Sequence, residues 1–163
     1  MPDVIRLVRA TGLALAAALL ALPAMAQGTT DADLREIQSY SLSEPGLQKY
    51  VQATRNLSAL RIEDCEEDTE TRSLAEAAAK LDATPGAKAA VESAGLTTRE
   101  YLVFALALLQ SGMGAWALDQ PDGKLPPGVS MANVEFYRKH AGEIEKIAEG
   151  LDAPECDEPA EDG

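Results

Sequence analysis

Residues 101–118, YLVFALALLQSGMGAWAL, form a run of 18 amino acids without a charged side chain. This length lies at the lower edge of what a transmembrane helix requires. The second half of the run contains Gln110, Ser111, Gly112 and Gly114, which a bilayer does not favour. A helix that is apolar on every side is also typical of the buried centre of a bundle. We therefore predict a buried central helix, with a membrane span as the alternative.

Several side chains of this helix have predicted places in the bundle. Leu106 and Leu109 lie midway along it, so we expect an aspartate at either position to unfold the domain. Trp116 is expected to close one end of the core. The small residues that follow Gln110 would let a neighbouring helix approach closely: Ser111, Gly112 and Ala115.

Capping residues predict further helices on both sides of the run. Ser or Thr at the first position and Glu three residues later form a capping box, as at Ser73 with Glu76 and Thr97 with Glu100. Thr84 and Pro85 are interpreted as the N-cap and first residue of a short helix. The predicted helices begin at Ser43, Ser73, Thr84, Thr97 and Ser130, and the last four end near Ala83, Gly95, Leu118 and Gly150. These patterns predict an all-α protein, a single bundle of four to five helices.

The first 26 residues have the features of a cleavable secretory signal peptide. Arg6 and Arg9 form a basic start, residues 12–22 are apolar, and residues 24–26 read Ala-Met-Ala, a typical cleavage site. We expect export to the periplasm of a Gram-negative bacterium, or secretion beyond it. The predicted organisation is a signal peptide (1–26), a lead-in (27–42), the helical bundle domain (43–151) and an acidic, disordered tail (152–163).

The chain is strongly acidic. It has 14 Lys+Arg against 27 Asp+Glu, a formal net charge of −13. Removing residues 1–26, with two bases and one acid, leaves −14. Such a charge repels phosphate backbones and therefore disfavours nucleic-acid binding.

Two acidic segments hold much of this charge, and each contains one of the two cysteines. Residues 63–70, EDCEEDTE, include Cys65, and the tail at 152–163 includes Cys156. Two cysteines in an exported single domain favour one intramolecular disulfide, Cys65–Cys156.

No motif in the sequence assembles a catalytic, cofactor or metal site. The acidic run matches the start of an EF-hand loop at Asp64, Glu66 and Asp68, but Thr69 stands where Gly is needed and Ala75 where Glu is needed. Weak divalent-cation binding by residues 63–70 remains an alternative. His140 is the only histidine, which excludes a multi-histidine zinc site within one chain; we interpret it as a partly buried edge residue, with a general base as the alternative.

Two stretches resemble segments of a group of small exported helical proteins of Gram-negative bacteria: GLTTREYLVFALALLQSGM (95–113) and NVEFYRKHAGEIEKI (133–147). The resemblance extends from the first predicted helix to the last and rests on capping and core patterns. It implies a helical fold and export. The group has no assigned activity, so the resemblance implies no functional residues.

The resulting functional prediction is a non-catalytic, exported binding or structural protein of the cell envelope. Its partner would be a protein or an apolar ligand, and no cofactor, nucleic acid or stable membrane span is expected after signal cleavage. The alternative is a small periplasmic enzyme whose site has no recognisable motif. A concave surface with polar groups from several helices would favour the enzyme, whereas a smooth apolar groove would favour binding.

Overall fold

The structure is a computed structural model that describes residues 30–60 and 73–149, without the side chains of 148 and 149. Within these residues it contains six α-helices and no strand, which confirms the all-α class. The helices are α1 (Asp31–Ser39), α2 (Glu44–Ser58), α3 (Leu74–Ala83), α4 (Ala87–Ser93), α5 (Thr98–Leu118) and α6 (Met131–Glu149).

The helix count exceeds the predicted four to five because α1 lies in the segment taken as a lead-in. Its N-cap is Thr30, whose side chain accepts a hydrogen bond from the Asp33 backbone N–H at 3.2 Å. Leu34 and Ile37 are the only large apolar residues of α1, so its sequence shows no extended apolar stripe.

Most predicted helix starts agree with the structure. The Ser43, Ser73 and Thr97 side chains each accept a hydrogen bond from a backbone N–H in the first turn that follows. At Thr97 the capping box with Glu100 is complete. Helix α6 begins immediately after Ser130, and Gly95, with φ of +79°, follows the end of α4.

The predicted start of the third helix, at Thr84 and Pro85, is wrong. Thr84 instead ends α3, and α4 begins at Ala87. The Ala87 N–H donates to the Thr84 carbonyl at 3.1 Å, and Gly86 between them has φ of +82°. Proline followed by a glycine with positive φ is typical of a type II turn, which competes with the capping interpretation.

Helix α5 packs against every other helix of the described residues. One side of it supplies Val103 and Ala107 to a cluster with Ile37 and Leu74. The adjacent side contributes Phe104 and Leu108 to a second cluster, which α5 shares with α2 and α6. That cluster consists of buried Leu47, Val51, Phe104 and Leu108, covered in part by Phe136, Tyr137, Ile144 and Ile147.

Helix α6 runs antiparallel to α5 at close range. A Cβ added at Gly112 would lie 3.0 Å from the Tyr137 ring, and one added at Gly114 would lie 2.9 Å from Val134. The small residues thus admit a neighbouring helix, as the sequence predicted for this part of α5. Asn133 ties α6 to the α1–α2 connection, accepting from the Leu42 N–H at 3.0 Å and donating to the Tyr40 carbonyl at 2.8 Å.

Candidate interaction surface

The outward side of α5 carries a row of large apolar side chains that the other described residues leave mostly exposed in the second half of the helix. Leu109 is 60% exposed, Met113 59% and Trp116 68%. Leu102 and Leu106 continue the row towards the helix start and are half-buried. The spacing alternates four and three residues, which places all five side chains on one side of an α-helix. We call these residues the α5 stripe: Leu102, Leu106, Leu109, Met113 and Trp116.

The stripe stays uncovered because its neighbours pack on either side of it. Leu102 and Leu106 contact the cluster built by α1, α3 and α5, which lies along one flank. On the other flank Tyr137 of α6 lies against Gly112. Since no helix of the described chain crosses between these flanks, the stripe faces outward along the second half of α5.

The expectation that α5 is buried on all sides is therefore wrong. Leu109 points outward instead of into the core, and Trp116 is exposed instead of closing one end. Leu106 lies between these cases, half-buried at the edge of the first cluster. An apolar helix with one exposed side can have the same amino-acid composition as a fully buried helix, so the sequence did not distinguish the two arrangements.

Helix α5 also meets the length and composition of a membrane span. Within the described residues it is the one helix that does, and 39% of its apolar window is buried against the rest of the protein. Core helices of soluble proteins share these properties, and its buried side carries the packing described above.

A polar cluster lies beside the start of α5. Arg99 donates to Asp33 at 2.9 Å and to both oxygens of Glu36, at 3.2 and 2.5 Å. The Asp33 carboxylate also accepts from the Thr30 hydroxyl at 2.7 Å and from the Leu74 N–H at 3.2 Å. The Thr30 hydrogen bond, followed by those from Leu74 and Arg99, lowers the pKa of Asp33 despite its burial. The carboxylate is thus held ionised by contacts that join α1, α3 and α5.

Four aromatic rings meet between α2 and α5. Tyr50 stacks on Tyr101 and on Phe104, each at a centroid distance of 5.1 Å, and Tyr40 meets the edge of Phe104 at 5.9 Å. Burial raises the pKa of Tyr50 to about 12, and burial also raises the pKa of Tyr40. Both phenols therefore stay protonated at neutral pH, which suits packing better than base or nucleophile chemistry.

His140 is a partly buried residue at the edge of α6, as predicted. Its side chain is 15% exposed, and its ring lies 4.4 Å from that of Phe136. Its Nε2 is buried without a hydrogen-bond partner, 3.7 Å from the Glu44 carboxylate, and Nδ1 is 3.7 Å from that of Glu143. Neither contact reaches hydrogen-bond distance.

The remaining predicted features lie outside the described residues. They are the signal peptide at 1–26, the acidic run at 63–70 with Cys65, and the tail at 152–163 with Cys156. Within 30–60 and 73–149, no group of three His, Cys, Asp or Glu side chains is arranged to hold a metal ion.

Sequence reasoning missed two features of this surface. The first is the outward direction of the α5 stripe, for which the sequence gives no signal because the other sides of α5 are apolar as well. The second is Asp33, which the pattern Thr30-x-x-Asp33 at the start of α1 would have indicated.

Comparisons with protein families, curated proteins and solved structures found no match.

Proposed function

We propose that this chain is an exported, non-catalytic helical protein that binds a protein partner through the α5 stripe. The observation that carries the proposal is the exposure of Leu109, Met113 and Trp116 side by side on one helix. Scattered apolar residues are normal on protein surfaces, whereas a contiguous apolar row is typical of an interaction site. Trp and Met are also enriched at the centres of protein interfaces.

The geometry around the stripe supports a docking surface for a helix. The five side chains follow the spacing of a coiled-coil seam, and no charged residue stands between Glu100 and Asp119. A helix of the partner would lie along α5 between the two flanks formed by α1 and α3 and by α6. In this proposal the six helices act as one bundle that holds α5 in place.

The polar clusters support a non-catalytic role. Asp33 and Arg99 are engaged with each other and with α1 and α3, and the buried tyrosines have raised pKa values. Such groups hold helices together and offer no free acid or base to a substrate. The net charge of −13 supports a protein partner over nucleic acid or an anionic membrane surface.

Export to the periplasm, as implied by residues 1–26 and by the resemblance to exported helical proteins, belongs to the same proposal. N-terminal sequencing of the protein from a periplasmic fraction tests it. We expect a mature start at Gln27 or within a residue or two of it. Recovery of intact peptides from residues 1–6 in that fraction would contradict export with cleavage.

Photo-crosslinking in intact cells tests the binding function. A photoreactive amino acid replaces Met113 in the full chain, and a matched variant carries it at Glu92, an exposed residue of α4. We expect a crosslinked protein adduct from position 113 that is absent from position 92. Equal adducts from both positions, or none from 113, would argue against the stripe as the binding surface.

A further inference from the structure

We infer that His140 makes the contact between α2 and α6 sensitive to pH, because a protonated imidazole at this position gains two carboxylates as partners. The ring lies between two glutamates. Its Nε2 is 3.7 Å from the carboxylate of Glu44, the first residue of α2, and its Nδ1 is 3.7 Å from the carboxylate of Glu143 on α6. None of these residues belongs to the α5 stripe, so the pH response is independent of the binding function proposed above.

The neutral ring leaves part of its hydrogen-bonding capacity unused. The side chain is mostly buried, and Nε2 has no hydrogen-bond partner. A neutral imidazole carries one N–H and can donate to only one of the two glutamates, whereas both nitrogens of a protonated ring donate. The side chains of Glu44 and Glu143 are exposed, so each can close the remaining distance by a change of rotamer without moving a helix.

The charges around the ring favour protonation. Glu44, Glu143 and Lys139 together carry one negative charge, which a protonated His140 neutralises. Lys139 donates to the Glu44 carboxylate at 2.6 Å, and this hydrogen bond, followed by the charges of Lys139 and His140, lowers the pKa of Glu44. Glu44 therefore remains a carboxylate in the range where histidines gain their proton. The Phe136 ring, 4.4 Å from the imidazole between centroids, is a further favourable neighbour for a cation.

Two effects oppose protonation. Burial removes part of the hydration that a charged imidazole would have in water. The N-terminus of α2 carries a positive partial charge, which Glu44 at the first position of that helix offsets. The core cluster that α2, α5 and α6 share adds no further charge, since Phe104 and Leu108 are apolar and Tyr40 and Tyr50 are neutral phenols. Two carboxylates against one partly buried ring leave the balance in favour of the proton.

The folded chain therefore takes up this proton more readily than the unfolded chain does. By linkage, its stability then rises as the pH falls. Histidine is the side chain that ordinarily changes charge between pH 5 and 8. Since His140 is the only histidine of the chain, one substitution removes the response.

Urea unfolding of the purified full chain at pH 8 and at pH 5, the limits of the histidine range, tests the inference against H140Q. Glutamine keeps a polar side chain and does not titrate. The unfolding equilibrium constant of the wild type, divided by that of H140Q, should fall about fivefold from pH 8 to pH 5. The same comparison in an E143Q background should give a smaller fall, because one carboxylate is then missing. In an E135Q background, which changes an exposed glutamate elsewhere on α6, the fall should be complete.

Three results would overturn the inference. A ratio that is equal at the two pH values would show that the glutamates do not respond to the ring. A ratio that rises towards pH 5 would show that burial outweighs the two carboxylates. An E143Q background with the full response would exclude the paired carboxylates as its cause. If H140Q loses its helix content in circular dichroism, H140F replaces it, because a phenylalanine packs beside Phe136 and does not titrate either.

Discussion

Asp33 joins three helices through one carboxylate. It lies in the first turn of α1, is 5% exposed, and accepts hydrogen bonds from Thr30, from the first residue of α3 and from Arg99 of α5. An ionised carboxylate this deeply buried is stable only with such partners. Its contribution to folding should therefore depend on pH.

We predict that D33N lowers the free energy of unfolding by about 1–3 kcal/mol at pH 7. Hydrogen bonds hold the pKa of Asp33 below its ordinary value, so its stabilisation is complete above the unfolded pKa of about 4. It is lost as the pH falls through the lower folded pKa. Urea unfolding of wild type and D33N should show a difference that shrinks below about pH 4.

The matched control for D33N is E36Q. Glu36 binds the same arginine, but its side chain is 41% exposed, and exposed ion pairs contribute about 1 kcal/mol or less. We expect E36Q to be the milder change at pH 7. An equal loss for both variants, or a D33N difference that stays constant down to pH 3, would contradict the role given to Asp33.

At the scale of single helices, α5 has two sides with opposite roles. Phe104 is fully buried in the cluster shared with α2 and α6, whereas Leu109 is mostly exposed. Substitutions at these two positions, only five residues apart on one helix, should therefore differ greatly in cost.

We predict that F104A lowers the free energy of unfolding by about 3–5 kcal/mol, as is typical of a buried aromatic residue. L109D should change it by about 0.5 kcal/mol or less, as is typical of surface positions. Chemical unfolding measures both. A severe loss in L109D would restore the original expectation that α5 is buried on all sides.

Two helical glycines offer a second contrast. A Cβ at Gly114 would lie 2.9 Å from both Val129 and Val134, whereas one at Gly142 meets nothing within 4 Å. We predict that G114A destabilises the protein by about 1–3 kcal/mol through overpacking. G142A should stabilise it by about 0.5–1 kcal/mol through helix propensity. Thermal melts of both variants check the opposite signs, and two stabilising changes would show that α6 does not approach α5 closely.

Local signals predicted the elements better than their surroundings. Gly95 correctly predicted the end of α4, and the Thr97 capping box correctly predicted the start of α5, because caps depend on a few neighbouring residues. The start of α4 was misplaced because Pro85 suits a turn as well as a first helical turn. The open side of α5 was not predictable, because every side of that helix is apolar and only tertiary packing decides which side is covered.

At the scale of the whole molecule, α2 and α6 both end near the start of α5. Thr54, in the last part of α2, lies 3.2 Å from the Tyr101 hydroxyl. Along α6, Tyr137 lies against Gly112, and Ile147 packs into the cluster that holds Phe104. The chain therefore leaves both helices on the same side of the molecule.

The Cys65–Cys156 disulfide stays a prediction, because both cysteines lie outside the described residues. Cys65 comes seven residues after Ser58, the end of α2, and Cys156 seven residues after Glu149, the end of α6. Ninety residues lie between them, and a bridge closing so long a loop is expected to add about 2–4 kcal/mol. Repulsion between the two acidic segments opposes it by roughly 1 kcal/mol or less, because exposed charges are screened by salt.

We therefore predict no free thiol when periplasmic protein is alkylated without reductant, and a lower unfolding midpoint after reduction. The double variant C65S/C156S should match the reduced protein and be indifferent to reductant. Two alkylated thiols per chain, or a dimer that only reductant separates, would show that the cysteines do not close this loop.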